Sequence, residues 1–193
     1  MSKFKRSETG IRDLIVIEPT VFGDNRGFFL ETYSKRDFLE IGISMEFVQD
    51  NHSKSKKGVL RGLHFQLKNS QGKLVRVTNG SVLDIAVDLR RESNTFGKYF
   101  SIEISKKNRK MLFIPKGFAH GFLALENDTE IEYFCDEYYS PEFDSGILWN
   151  DKDINIEWNF EKYNLKIEDI LLSEKDKKLQ TFKEFVESGV VIE

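Results

Sequence analysis

The 193-residue sequence predicts an all-β fold, a jelly-roll barrel with a short helix near the N-terminus and a C-terminal helical tail. Three observations lead there. Aromatic residues make up 13 % of the chain, 17 of them Phe, while Pro is scarce at 3, and such enrichment suits strands packed against one another. Short strand-like runs recur between turn signals across most of the chain. Apolar residues at helical spacing (Leu179, Phe182, Phe185, Val186) mark the end as a helix docked on the barrel.

The elements follow in order. Asp13–Pro19 reads as the first strand, and Phe22–Gly27 as a turn because of its Gly and Asp. Gly27–Tyr33 is strand-like. Ser34–Gly42 reads as a helix with Ser34 as N-cap, Phe38, Leu39 and Ile41 as the apolar side, and Gly42 as its end. Glu46–Asp50 and Val59–Gln66 are strands separated by the polar stretch Asn51–Gly58. Lys73–Thr78 and Ser81–Leu89 flank Asn79-Gly80, the pair favoured in a type I′ turn, and so predict a hairpin. Tyr99–Ile104, Lys110–Ile114, Phe118–Leu125 and Thr129–Tyr133 continue the series. One domain is expected, with a barrel over about residues 12–150 and the tail over about 160–190.

Composition excludes several classes. With 29 Lys+Arg against 32 Asp+Glu the net charge is -3, without the basic excess of a nucleic-acid or membrane-surface binder. Hydrophobic residues at 39 % are too many for a disordered chain. The single cysteine, Cys135, cannot form an internal disulfide. No apolar run reaches the roughly 20 residues of a membrane span, and no apolar segment follows the charged start, so a cytoplasmic protein is expected.

Few residues can carry chemistry. The histidines are His52, His64 and His120. His64 shares a strand with Arg61 and Gly62. Strict alternation puts Arg61 and His64 on opposite faces, whereas a bulge at Gly62 brings both inward, and a structural histidine is the simpler reading of the local pattern. His120 lies in Pro115-Lys116-Gly117-Phe118-Ala119-His120, whose P-x-G-x-x-H spacing resembles the second motif of the cupins. The first cupin motif needs two histidines one residue apart plus a carboxylate, and only His64 is available there, so no bound metal is expected. Alternation places Tyr133 with Ile131 and Cys135 on one face, where a core tyrosine and a small buried thiol suffice. In the hairpin Lys73 shares a face with Val75 and Val77, a conflict that calls for a reason.

Longer strings carry a sharper signal. Phe22–Phe29 (FGDNRGFF), Phe47–Ser53 (FVQDNHS), Val59–Gln66 (VLRGLHFQ), Gly72–Val77 (GKLVRV), Phe113–Phe122 (FIPKGFAHGF), Ile147–Asp151 (ILWND) and Leu172–Asp176 (LSEKD) occur in this order. Over about residues 12 to 177 they closely resemble the dTDP-4-dehydrorhamnose 3,5-epimerase family. The resemblance implies a metal-free cupin jelly roll, without cofactor, working as a homodimer that inverts C-3 and C-5 of dTDP-4-dehydro-6-deoxy-D-glucose. It implies His64 as base, Asp176 as its orienting carboxylate, Tyr133 as acid and Lys73 as the cation beside the developing C-4 oxyanion. It further implies Arg61, Gln49, Asn51, His120, Asp144 and Lys175 as substrate ligands, and Arg26 and Glu31 supplied by a partner subunit through an exchanged N-terminal strand. Phe22, Phe29 and Tyr139 are expected to stack on thymine. Two positions depart from the family pattern: Asp144, where relatives often have Glu, and Phe134, where a Lys is expected. The rivals are a single-site 3- or 5-epimerase, a metal-dependent cupin using His52, His64 and His120, and a non-catalytic sugar-nucleotide-binding module.

Overall fold

In the computed structural model, which describes residues 3–193, alternation along the strands sends neighbouring apolar residues into different cores. The strands are β1 (Phe4–Glu8), β2 (Ile15–Pro19), β3 (Val21–Asp24), β4 (Gly27–Leu30), β5 (Gln49–Ser55), β6 (Leu60–Gln66), β7 (Lys73–Asn79), β8 (Ser81–Asp88), β9 (Tyr99–Ser105), β10 (Met111–Ile114), β11 (Phe118–Ala124), β12 (Thr129–Cys135) and β13 (Asp144–Gly146). The helices are α1 (Lys35–Glu40) and α2 (Phe182–Glu187). Leu74 packs beneath α1 with Phe38 and Phe113, while its neighbour Val75 faces Val82 and Phe122 in the space between the sheets. Leu83 and Ile85 of β8 pack with Trp158 and Phe185 of the tail, whereas Val82 and Ala86 turn to the central core. Both sheets are thus covered on both faces, which is why β8 is buried at every position.

Among the described residues the sheets run β1-β2-β10-β7-β12-β5 and β13-β6-β11-β8-β9, with β3-β4 a separate two-stranded ribbon. All ladders in them are antiparallel. This is the expected jelly-roll architecture, formed as two facing sheets.

Several local expectations change. Asn79-Gly80 makes no hairpin: β7 belongs to the six-stranded sheet and β8 to the five-stranded one, so the chain crosses between sheets there. Gly80 has φ +73°, Asn79 does not share the positive φ that a type I′ turn needs, and a Cβ at Gly80 would meet Thr129 Oγ1 at 2.4 Å. The polar stretch after Asp50 is strand as far as Ser55; its polar residues lie on both faces because one of those faces meets a cavity. Residues 22–24 and 27–29 pair as a ribbon, so the turn is only Asn25-Arg26, where Asp24 Oδ1 accepts from the Arg26 N–H at 2.8 Å. Ser34 does cap α1, accepting from the Asp37 N–H at 3.4 Å, and Phe38 fills the core with Ile41 packed against it, but Leu39 is exposed. The tail is mostly irregular with single 3₁₀ turns, and its α-helix is confined to α2, where Phe185 is buried. β1 and the short β13 carried too few apolar residues to be read from pattern.

The tail is stitched to the barrel by backbone bonds: the Leu60 N–H donates to Leu171 O at 3.0 Å, and the Leu148 N–H to Gln180 O at 2.9 Å. That course lays residues 172–178 along β6.

The register of β6 on β11 pairs His64 with His120 and Arg61 with Phe122, three residues against two, which is the bulge at Gly62. Gly62 has φ +124°, and a Cβ there would lie 2.5 Å from Gly121 Cα and 2.9 Å from His120 O, both backbone atoms. Gly62→Ala is therefore expected to cost about 2 kcal/mol or more. Thermal unfolding checks this, and an unchanged melting temperature would show that the strand adapts freely.

Candidate active site

The inner faces of the two sheets are apolar except at one end. There His64 and Gln66 of β6, Lys73 of β7, Tyr133 of β12, Gln49 and Asn51 of β5, and Asp144 of β13 line a cavity of about 370 Å³, with Lys175 and Tyr139 at its margin. Pairing explains the grouping. Lys73 lies opposite Cys135, and Tyr133 opposite Asn51 on one side and Val75 on the other, so alternation turns all of them inward. The lysine at odds with its valine neighbours faces this cavity.

His64 and Asp176 are 112 residues apart in sequence, yet Nε2 lies 2.5 Å from Asp176 Oδ1. The side chain of Asp176 is 4 % exposed, whereas that of His64 is 32 % exposed toward the cavity. Ser173 braces the carboxylate twice: its hydroxyl donates to Asp176 Oδ2 at 2.8 Å and accepts from the Asp176 N–H at 3.0 Å. Burial alone would raise the Asp176 carboxyl, but the hydrogen bond and charge of His64, with Ser173, hold it below the usual carboxylate range.

The opposing wall is desolvated. Burial pushes the Lys73 ammonium below the ordinary lysine range, while Asp84 and Asp144 pull the other way. Burial also raises the Tyr133 phenol, keeping it protonated at neutral pH, and Lys73 Nζ stands 5.9 Å from the centre of its ring. Cys135 is buried, its thiol pushed up to about 11 by burial, and Asn51 Nδ2 approaches its sulfur at 3.7 Å. It is therefore an unreactive neighbour of Lys73.

Other expected site residues divide in two. Arg61 reaches Ser55 Oγ and Lys54 O at 3.4 Å and lines a neighbouring cavity of about 330 Å³ that shares His64 and Lys175. His120 is buried, with Nε2 3.0 Å from both oxygens of the fully buried Asp84. Tyr139 donates its hydroxyl to Asp144 at 2.7 Å and its N–H to Gln49 Oε1 at 2.9 Å. Arg26, Phe22 and Phe29 stay on the exposed β3–β4 ribbon, Arg26 paired with Asp24, and Glu31 just beyond it pairs with Lys3 at 2.5 Å. One chain does not bring these four into the cavity. The N-terminal strand β1 itself pairs with β2 of the same chain, and the ribbon is the segment that pairs with neither sheet.

His52 points outward to Glu130 at 3.1 Å, away from His64 and His120, so the three histidines do not converge. Among the described residues no group of three or more His, Cys, Asp or Glu side chains is placed to hold a metal ion, and no helix is long and apolar enough to cross a membrane. Sequence reasoning missed Asp84 and the brace at Ser173. The Ser-x-x-Asp spacing of the latter was a legible cue for a side-chain-to-backbone turn.

A protein-family model described as dTDP-4-dehydrorhamnose 3,5-epimerase matches residues 8–184. The chain is 48 % identical over 184 residues to the dTDP-4-dehydrorhamnose 3,5-epimerase of Methanothermobacter thermautotrophicus, across 95 % of this chain and 97 % of that protein. It is 55 % identical over 155 residues to the Salmonella typhimurium enzyme of the same name, across 79 % and 85 %. The crystal structure of the Legionella pneumophila dTDP-6-deoxy-D-glucose-3,5-epimerase in complex with dTDP-4-keto-L-rhamnose superposes with a TM-score of 0.90 at 40 % identity, over 98 % of both chains.

Because the Asp176 carboxyl is held low in the folded state, the unfolded chain binds its proton first as pH falls. Its contribution to stability is thus present above the ordinary carboxylate range and lost as pH drops through its folded value. Melting curves between about pH 7 and 3 should show a shallower acid loss for Asp176→Asn than for the parent; equal slopes would remove Asp176 from the acid transition.

Proposed function

The chain belongs to the dTDP-4-dehydrorhamnose 3,5-epimerase family, and from that premise we propose that its cavity takes dTDP-4-dehydro-6-deoxy-D-glucose and inverts C-3 and C-5 to give dTDP-4-dehydro-L-rhamnose. One observation carries the reading: a carboxylate-braced histidine on one sheet faces a half-buried phenol and a half-buried ammonium on the other. Such an arrangement suits inversion beside a ketone, since the proton leaves one face of the carbon and another arrives on the opposite face.

With Nε2 engaged by Asp176, a neutral His64 donates there and keeps Nδ1 as its acceptor. Nδ1 takes the proton from C-3, and the C–H electron pair moves into the C-4 carbonyl to form an enolate. Asp176 favours the imidazolium produced, as in other His–Asp pairs. The Lys73 ammonium stabilises the negative charge on the C-4 oxygen, in a site where low dielectric strengthens the attraction. Collapse of the enolate draws the Tyr133 proton onto the opposite face of C-3. Exchange with water resets both groups, and the same cycle at C-5 completes the product. Each step moves protons only, so no redox partner enters.

Gln49, Asn51, Arg61, His120 and Tyr139 are then the nucleotide-sugar contacts of the same chain, with the Arg61 guanidinium suited to diphosphate oxygens. Arg26, Glu31, Phe22 and Phe29 would complete the site from a second copy. The ribbon supports this, because it pairs with neither sheet and keeps Phe22, Phe28 and Phe29 exposed, with Arg109 4.2 Å from the centre of the Phe28 ring on its barrel side. The exchanged segment of a homodimer is then β3–β4. A nucleotide-sugar substrate and a free thiol fit a cytoplasmic enzyme.

Incubation of the substrate in heavy water, followed by mass and NMR analysis, should place deuterium at both C-3 and C-5. Label at one carbon would make this a single-site epimerase, and none from folded protein would overturn the activity. His64→Ala should lower turnover by about 100-fold or more. Tyr133→Phe should retain isotope exchange while losing correct reprotonation; if both fall together, Tyr133 is not a separate acid.

A further inference from the structure

Lys175 and Asp176 are consecutive, yet they serve different partners. Asp176 turns to His64, while the Lys175 ammonium ion-pairs with Asp144, which also accepts the Tyr139 hydroxyl at 2.7 Å. Asp144 sits on β13 opposite Gln66, two residues from Gly146, the register partner of His64. Alternation therefore sets Asp144 on the side of the sheet that carries the base, and its side chain is only 12 % exposed. One carboxylate thus joins the strand beside His64, the segment that orients His64 and a mouth tyrosine.

We propose that Asp144 is a positioning residue for the base: it neutralises Lys175, adds a second negative charge behind His64, and fixes residues 173–176 in place. The proposal rests on the epimerase reading above and goes beyond a substrate contact at this position. Without Asp144, the Lys175 ammonium would stand uncompensated beside a base that must become a cation during turnover. The ion pair removes that opposition, and the same contact seats Asp176.

The other groups facing His64 do not supply this charge. Tyr133 is protonated, Lys73 is cationic and belongs to the oxyanion, and the Asp84 carboxylate is taken by His120. Arg61 lies across the neighbouring cavity, bonded to Ser55. Asp176 is the direct partner, which leaves Asp144 as the second anion. Burial alone would raise the Asp144 carboxyl, but Lys175, Tyr139 and the charge of His64 hold it below the usual range. By reciprocity, an attraction that stabilises the carboxylate also stabilises the imidazolium. The Glu expected in relatives carries the same charge on a side chain one methylene longer, so the charge at this position is kept.

The test is a charge cycle read in pH profiles. A neutral His64 is the active base, so kcat/KM rises with pH through its titration, and a less stable imidazolium moves that limb downward. Asp144→Asn should shift the acid limb to lower pH by about half to one pH unit and lower kcat roughly threefold. Lys175→Met should shift the limb upward, the double variant should return near the parent, and Asp144→Glu should restore the parent profile. In parallel, NMR titration of the His64 ring protons, assigned by difference with His64→Gln, should follow the same order without needing turnover. A raised KM with an unmoved limb and unmoved ring titration would make Asp144 a ligand only and overturn the proposal. If the parent converts no substrate, the epimerase reading fails, while the NMR order still judges the charge coupling. Should Asp144→Asn not fold, Lys175→Met and Asp144→Glu decide alone: a limb unmoved in the first overturns the proposal.

Discussion

The site depends on how the tail is laid along the barrel. Asp176 reaches His64 because residues 171 and 180 are bonded to the edge of the five-stranded sheet, through Leu60 and Leu148. Between these two points the chain has little freedom, and Ser173 removes most of what remains by bonding both the carboxylate and the N–H of Asp176. The cost of ordering an irregular segment is offset by burying Phe185, Trp158 and Leu165 of the same tail against β8 and β6. His64 is therefore oriented by the packing of a segment far away in sequence. A site assembled this way is rigid on the His64 side without any regular element supplying the carboxylate.

The opposite wall follows the reverse logic. Lys73 and Tyr133 stand on neighbouring strands of a sheet covered on both faces, where a desolvated cation and phenol are costly unless partnered. Among the described residues Lys73 is steadied by the negative charges of Asp84 and Asp144 at a distance and by the Tyr133 ring. Under the proposed mechanism such incomplete compensation suits an oxyanion site, because a fully paired ammonium would have nothing left to offer developing charge. Asp84 shows the contrasting solution, since it is buried completely and spends both oxygens on His120. Asp84 is thus paired within the protein, whereas the Lys73 charge is left partly open toward the cavity.

Much of this was legible in the sequence, and the failures share a cause. The strands over residues 60–66, 99–105 and 118–124 follow from aromatic and β-branched runs, which depend on local preference. The inward direction of Lys73 and Tyr133 follows from alternation, which is also local. What pattern could not show is which strand meets which. Asn79-Gly80 looks like a hairpin turn, but β7 and β8 each have better partners in different sheets, and the glycine there serves a close approach to Thr129 instead. The polar strand beyond Asp50 is invisible to hydrophobic periodicity because its inner residues face a cavity. Asp176 carries no local signal of its use, since its partner is 112 residues away; only resemblance to a family pointed to it. The tail over-read as helix shows the same limit from the other side, because its apolar residues satisfy separate contacts on the barrel rather than one helical face.

Strand β12 makes clear why the two departures from the family pattern differ in weight. Successive side chains on a strand leave on opposite faces, so Tyr133 and Cys135 turn inward, Tyr133 into the cavity, while Phe134 turns outward. Phe134 packs on the outer face, its ring 5.7 Å from Phe47 and 6.3 Å from Tyr33 in the aromatic cluster beneath α1. A lysine there would keep only its stem against those rings and carry its charge outward. The exchange therefore acts on packing, and the chemistry one residue away is shielded by the sheet itself. Asp144 has no such separation: its register on β6 puts it on the base's own side, bonded to the residue beside Asp176. A change of charge at that position would therefore meet the groups around His64 directly, whereas the exchange at Phe134 is kept from them by the sheet.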